Sequence, residues 1–145
     1  MRFVDTNVLI YAVSAAEQDV AKMRRALELL EERDLALSVQ VLQEFYVQAT
    51  RATRPGALTH GEAVLFATSL TRFRVLDLTL QIMYSAFDIR DRYGLSYWDC
   101  TILAAARASG CRTVYSENFN PSQDYDGLRV INPFAATSAP GSSHS

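Results

Sequence analysis

Short runs of consecutive apolar residues alternate along this chain with longer stretches in which apolar residues recur every three or four positions. Runs that short suit strands buried on both faces, and the longer recurrence suits helices with one apolar side. Residues 2–4 (RFV) read as a first strand that ends at Asp5, and residues 8–13 (VLIYAV) as a helix capped by Thr6 or Asn7. From Asp19 to Arg33, Val20, Met23, Leu27 and Leu30 fall on one face of an amphipathic helix. A second strand (35–39, LALSV) runs into a helix capped by Ser38, with Val41, Leu42, Phe45, Tyr46 and Ala49 on its apolar side. That helix ends near the turn signal Arg54-Pro55-Gly56. Thr59 and Glu62 have capping-box spacing and open the next helix. Residues 73–78 (FRVLDL) give a third strand, and 80–93 a helix stopped by Gly94. Ser96 and Asp99 form a second capping box, starting a helix that stops at Gly110. Residues 113–115 and 128–131 are the fourth and fifth strands.

Strands alternating with helices in this way predict an α/β fold: one domain over residues 1–135, with a five-stranded parallel sheet covered by helices on both faces. Residues 136–145 (ATSAPGSSHS) are small, polar and rich in Ser, Gly and Pro, and read as a disordered tail. In such sheets ligands bind beyond the carboxyl ends of the strands, where the strand order reverses. Asp5 and the segment Ser116-Glu117-Asn118 both occupy strand ends of that kind.

Composition narrows the chemistry. With 145 residues and 49% hydrophobic content, the chain can bury a sizeable core. No apolar run is long enough to cross a membrane, and the start MRFVDTN has no secretory character, so a cytoplasmic location is expected. Cys100 and Cys111 do not have CxxC spacing, and His60 and His144 are the only histidines, which argues against zinc. A metal would have to be held by oxygen, which favours magnesium or manganese. The net charge of −2 gives no global argument for nucleic-acid binding. Lys22 is the sole lysine, and the other basic residues are arginines spread along the chain.

Three acids stand out, each with an ordinary explanation beside the chemical one. Asp5 could simply cap the helix that follows, unless Thr6 or Asn7 does so and leaves its carboxylate free. Asp99 could be the acidic partner of Ser96 in a capping box, but it lies on a helix with few other charges, beside Ile102, Leu103 and Ala106. Glu44 sits at the edge of its helix's apolar side, between Gln40 and Gln48, where a solvated glutamate is ordinary. Asp124 and Asp126 precede a glycine in a loop and read as turn formers. If Asp5, Glu44 and Asp99 meet, they cannot all stay ionised without a cation. A divalent ion there would acidify a water and stabilise charge on a scissile phosphate, which suits phosphodiester hydrolysis. No Gly-x-Ser-x-Gly or P-loop motif competes.

The stretches DTNVLIYA (5–12), VLQEFY (41–46), LSYWDCTILAAA (95–106) and VYSEN (114–118), closed by INPF (131–134), follow one another in an order and spacing that resembles a PIN domain. More specifically, they resemble the VapC-like ribonuclease toxins of bacterial toxin–antitoxin pairs, over residues 2–134. The resemblance implies a five-stranded parallel sheet and an endoribonuclease dependent on Mg2+ or Mn2+. It puts Asp5, Glu44 and Asp99 in the three acidic positions, Thr6 in the hydroxyl position, Asn7 in the asparagine position after it, and Ser116 in the Ser/Thr position before the fourth polar site. There this chain departs from the family, with Asn118 where an acid is frequent and Glu117 one residue earlier. Asn118 as a neutral oxygen ligand, Glu117 turned inward, or three acids alone are the open alternatives. The resemblance also implies a cognate antitoxin protein and a homodimer, with exposed apolar residues of the first two helices as contact surface. Arg51, Arg54, Arg72 and Arg74 are candidate RNA phosphate contacts. A phosphoacceptor receiver domain or a haloacid-dehalogenase-like phosphatase needs a late lysine that this chain lacks. A non-catalytic PIN-type module that binds RNA or protein is the alternative that stays open.

Overall fold

The computed structural model describes residues 1–121 and 123–135, so the expected tail lies outside the described residues. β1 (Arg2–Val4) sits in the middle of the sheet, paired in parallel with β2 (Leu35–Ser38) on one side and β4 (Thr113–Tyr115) on the other. β3 (Arg74–Leu76) continues the sheet beyond β2, and β6 (Leu128–Ile131) beyond β4, both in parallel. All four residues of β2 are buried, the apolar Leu35, Ala36 and Leu37 as a strand covered on both faces requires, and Ser38 as the cap of the helix that follows.

A sixth strand departs from the five-stranded expectation. β5 (Asp124–Tyr125) is antiparallel to β6, giving the order β3-β2-β1-β4-β6-β5. Two residues are too few to show a period, so the strand leaves only the Asp-Gly pair of its turn as a signal in the sequence. Its hairpin is set by Asp126 and Gly127, whose φ angles of 55° and 90° make the two-residue left-handed turn that matches strand twist.

Two helices fill each of three connections. α1 (Thr6–Ala12) and α2 (Val20–Leu30) join β1 to β2, α3 (Val39–Ala49) and α4 (His60–Ser69) join β2 to β3, and α5 (Leu80–Tyr93) and α6 (Tyr97–Ala108) join β3 to β4. The chain steps outward from β1 to β3 and then jumps back across β1 to β4. With right-handed crossovers, that reversal puts α1–α4 on one face and α5 and α6 on the other. Accordingly α1 packs on α2 and α3, α3 on α4, and α5 on α6. α6 is buried without a break from Cys100 to Ala106, because small residues let it press on the sheet and on α5 together.

The start signals held in most places. Ser38 caps α3, the Thr59–Glu62 capping box forms in full, and Gly94 ends α5 in the left-handed conformation at φ 67°. Two expectations need correcting. α1 begins at Thr6, and its cap is Asp5, whose extended backbone brings its carboxylate to the Thr6 N–H. On α2 the buried residues are Ala26, Leu29 and Leu30, while Val20 and Leu27 face outward; small Ala26 lets the helix approach α1 closely. Among the described residues no helix is long and apolar enough to cross a membrane.

Candidate functional site

The strand order reverses between β1 and β4, and both strands end there in polar residues. Asp5 follows β1 and is only 4% exposed, and its backbone N–H donates to the Tyr115 carbonyl at the end of β4 (3.0 Å). Ser116 follows β4, is fully buried, and donates its hydroxyl to Asp5 Oδ2 at 2.8 Å. The same Oγ accepts from Asn7 Nδ2 (3.1 Å) and from the Asn118 backbone N–H (3.0 Å). A hydroxyl has one proton and two lone pairs. With both lone pairs occupied, the Ser116 proton is committed to Asp5. Asp5 Oδ1 takes the Thr6 N–H at 2.7 Å, and Asn7 Nδ2 lies 3.4 Å from Oδ2.

Glu44 arrives from the second turn of α3. The Thr6 hydroxyl donates to its Oε1 at 2.9 Å, and Gln40 Nε2 to its Oε2 at 3.0 Å. Gln40 is buried, donates also to the Trp98 carbonyl (3.3 Å), and accepts from the Thr101 hydroxyl. It therefore ties the first turn of α3 to the first turn of α6, which carries Asp99. The expected capping box at Ser96 is only half made. Ser96 Oγ accepts the Asp99 N–H at 3.2 Å, but among the described residues the Asp99 carboxylate has no hydrogen-bond partner. That carboxylate is left half-buried and free for another ligand.

Burial pushes the Asp5 carboxyl up to about 6, against the hydrogen bonds from Ser116 and Thr6, and the charges of Glu44 and Asp99 add to the rise. Glu44 and Asp99 are thus each near enough to repel Asp5. Among the described residues, however, no three Asp, Glu, His or Cys side chains close into a ready-made cage. Oxygen donors on one or two carboxylates with room for water are what magnesium accepts, and a divalent charge would cancel the repulsion around buried Asp5. On that count the residues fit Mg2+ or Mn2+. The acids gather beyond the carboxyl end of central β1, outside the groove of about 540 Å3 that runs beside β3 and α5 and is lined by Arg74, Leu76, Gln81 and Ser85.

Glu117 and Asn118 take separate paths. Glu117 turns toward α1 and α2, accepting the Tyr11 hydroxyl on Oε1 (2.5 Å) and pairing with Lys22 Nζ through Oε2 (3.2 Å). Lys22 also donates to the Tyr11 hydroxyl at 3.2 Å and lies 4.6 Å from that ring's centre. Only the backbone N–H of Glu117 faces the site, toward Asn7 Oδ1 at 3.4 Å. The structure therefore does not bring the Glu117 carboxylate to Asp5. Asn118 is exposed, beside Ser116.

The four arginines also lie away from the acids. Arg51 and Arg54 follow the far end of α3, about 16 Å along the axis from its start. Arg72 and Arg74 sit at the amino end of β3, with Arg72 bonded to the Ser69 and Leu30 carbonyls and stacked on Phe73. The sequence reading missed Gln40, Thr101, Tyr11 and Lys22. The spacing of Gln40, one turn before Glu44, was the available signal for the first of them.

The family model of the PIN domain matches residues 2–123. No curated protein sequence matches the chain. Among solved structures, a toxin–antitoxin complex from Klebsiella pneumoniae superimposes with a TM-score of 0.67 at 23% identity, over 92% of this chain and 98% of that one. VapC20 of Mycobacterium tuberculosis, a sarcin-ricin loop cleaving toxin, gives 0.64 at 22% identity over 89% and 99%. FitAcB from Neisseria gonorrhoeae gives 0.68 at 18% identity over 93% and 99%. At such identities these likenesses speak to fold.

Proposed function

The chain belongs to the PIN domain family, and from that premise we propose that it is a metal-dependent endoribonuclease, the toxin of a toxin–antitoxin pair. The observation that carries this reading is Asp5, buried at the strand-order reversal and driven up to about 6 beside Glu44 and Asp99. A buried carboxylate with like charges for neighbours is a poor structural element and a good cation ligand. VapC20, a similar fold, is a sarcin-ricin loop cleaving toxin, which supports RNA as the substrate.

Asp5 and Asp99 would hold Mg2+ or Mn2+ in this reading, and Asn118 would add a neutral oxygen. When bound, the ion supplies Lewis acidity toward a phosphate oxygen and positive charge for the developing anion. Thr6 and Gln40 fix the two oxygens of Glu44, which orients the attacking water and receives its proton. Ser116 and Asn7 hold Asp5 in one rotamer, so the site is set before substrate arrives. Arg51, Arg54 and Arg74 have guanidinium groups without polar partners among the described residues and are free to meet phosphates along a longer RNA. A cognate antitoxin and a second copy of the chain are the partners of this reading, in the cytoplasm. Exposed Leu80, Tyr84, Phe87 and Trp98 offer a second apolar face for them, in addition to Val20 and Leu27 on α2.

A non-catalytic RNA- or protein-binding module is the second reading, favoured by the commitment of Glu117 to Lys22, which leaves the site one acid short. Total RNA incubated with a series of Mg2+ and Mn2+ concentrations separates the two. Ion-dependent products that vanish in Asp5→Asn and Asp99→Asn support the nuclease. No products at any ion concentration supports the binding module.

A further inference from the structure

The sole lysine of the chain, Lys22, is paired with the acid that follows Ser116. Lys22 comes from α2 and Tyr11 from the last turn of α1, and together they occupy both carboxylate oxygens of Glu117. Lys22 is built into its position: its ammonium stands 4.6 Å from the centre of the Tyr11 ring and 5.9 Å from that of Phe134, and those two rings pack edge to face at 4.8 Å. Meanwhile the backbone of Glu117 is already at the site. Its N–H faces Asn7 Oδ1, Asn7 Nδ2 faces Ser116, and Ser116 donates to Asp5. Ser116, the residue before Glu117, therefore touches Asp5 directly, while the Glu117 side chain is drawn the other way.

We propose that Lys22, with Tyr11, is a positioning residue that withholds Glu117 from the Asp5–Glu44–Asp99 cluster and so sets the divalent-ion affinity of the site. The proposal rests on the reading of that cluster as a divalent-ion centre. Without its ammonium partner, the Glu117 carboxylate is half-buried beside a phenol alone, and a neighbouring divalent ion becomes its best counter-charge. Ion sites of oxygen ligands tighten with each added negative ligand. Lys22 thus keeps the site at three acids, an electrostatic choice made from outside it.

The test is Mn2+ binding to the full chain, read from the electron paramagnetic resonance signal of free Mn2+, which needs no RNA cleavage. Lys22→Met keeps the stem over the Tyr11 ring and removes the charge. We expect it to bind Mn2+ roughly tenfold more tightly than wild type, an added carboxylate's effect. Lys22→Arg keeps the ion pair and behaves as wild type. Glu117→Gln alone changes little, because that carboxylate does not reach the ion. The double variant Lys22→Met/Glu117→Gln returns to the wild-type affinity. Measurements in about 0.5 M NaCl, where the screening length is roughly 4 Å, leave ligation intact and remove a distant-charge effect.

Unchanged affinity in Lys22→Met overturns the proposal, as does tightening that disappears in high salt or persists in the double variant. Weaker binding in Glu117→Gln alone also overturns it. Near-ultraviolet circular dichroism establishes that each variant is folded. If wild-type protein itself binds no Mn2+, the divalent-ion reading of the cluster fails instead, and the two failures are told apart.

Discussion

Replacing Asp5 by asparagine should change the stability of the protein in opposite directions at two pH values. Burial raises the Asp5 carboxyl from 3.8 in the unfolded chain to about 6 in the folded one. The folded state therefore holds its proton more tightly, and between those values stability falls as pH rises. Below about pH 4 both states are protonated and the cost is absent. Above about pH 6 it is fully developed, and the difference between 3.8 and about 6 corresponds to about 3 kcal/mol. The amide introduced by Asp5→Asn escapes that cost but mismatches its neighbours. Ser116 directs its only proton at Oδ2 and the Thr6 N–H meets Oδ1, so an amide must turn its NH2 toward one of these donors. That mismatch costs about 1–2 kcal/mol at any pH. The net expectation is stabilisation of about 1–2 kcal/mol at pH 7.5 and destabilisation of similar size at pH 4. Urea unfolding with a chelator present, at both pH values, measures it. Equal effects at the two pH values, or destabilisation at pH 7.5, would show that Asp5 is not strained by its charge.

Four further outcomes are expected. In thermal melts, Mg2+ or Mn2+ at a hundredfold excess over its dissociation constant should stabilise wild type by about 2.7 kcal/mol and leave Asp99→Asn unmoved. Gln40→Leu removes the link among Glu44, Trp98 and Thr101, and should lose about 1–3 kcal/mol in urea while slowing RNA cleavage; unaltered cleavage would remove Gln40 from the orientation of Glu44. The Asp126 carboxyl is held below its ordinary value, against the pull of burial, by Arg107, Tyr93 and Arg92. Its contribution is present above pH 3.8 and lost as pH falls further, so Asp126→Asn should flatten the acid limb of the stability curve. Ala105→Leu should cost about 1–3 kcal/mol in the same urea assay, because α6 has no room between sheet and α5.

The elements long enough to show a period were legible, and so were the ends marked by Ser38, Thr59 and Gly94. β5 was not, since two residues carry no alternation, although Asp126-Gly127 was the Asp-Gly signal of a two-residue hairpin turn. The face of α2 was misread because hydrophobicity ranks Leu27 above Ala26, whereas close packing on α1 prefers the smaller residue. At the site, the sequence offered acids at strand and helix starts but could not choose between capping and ligand roles. Asp5 turns out to do the capping while lying among the other acids, and Asp99 leaves its capping box half made. The choice between Glu117 and Asn118 was undecidable from spacing. What spacing does not show is that Lys22 and Tyr11, about a hundred residues earlier in the chain, bind the Glu117 carboxylate.

The three acids enter from three separate crossovers, and the central strand that carries Asp5 is completed only when β4 pairs with it. A ribosome making this chain has released Asp5, Glu44 and Asp99 well before Ser116 emerges to bind Asp5. A nascent or truncated product that stops before residue 116 therefore has Asp5, Glu44 and Asp99 but lacks the hydroxyl that holds Asp5. Order of synthesis alone thus withholds the buried, hydrogen-bonded setting of Asp5 until β4 and Ser116 have been made.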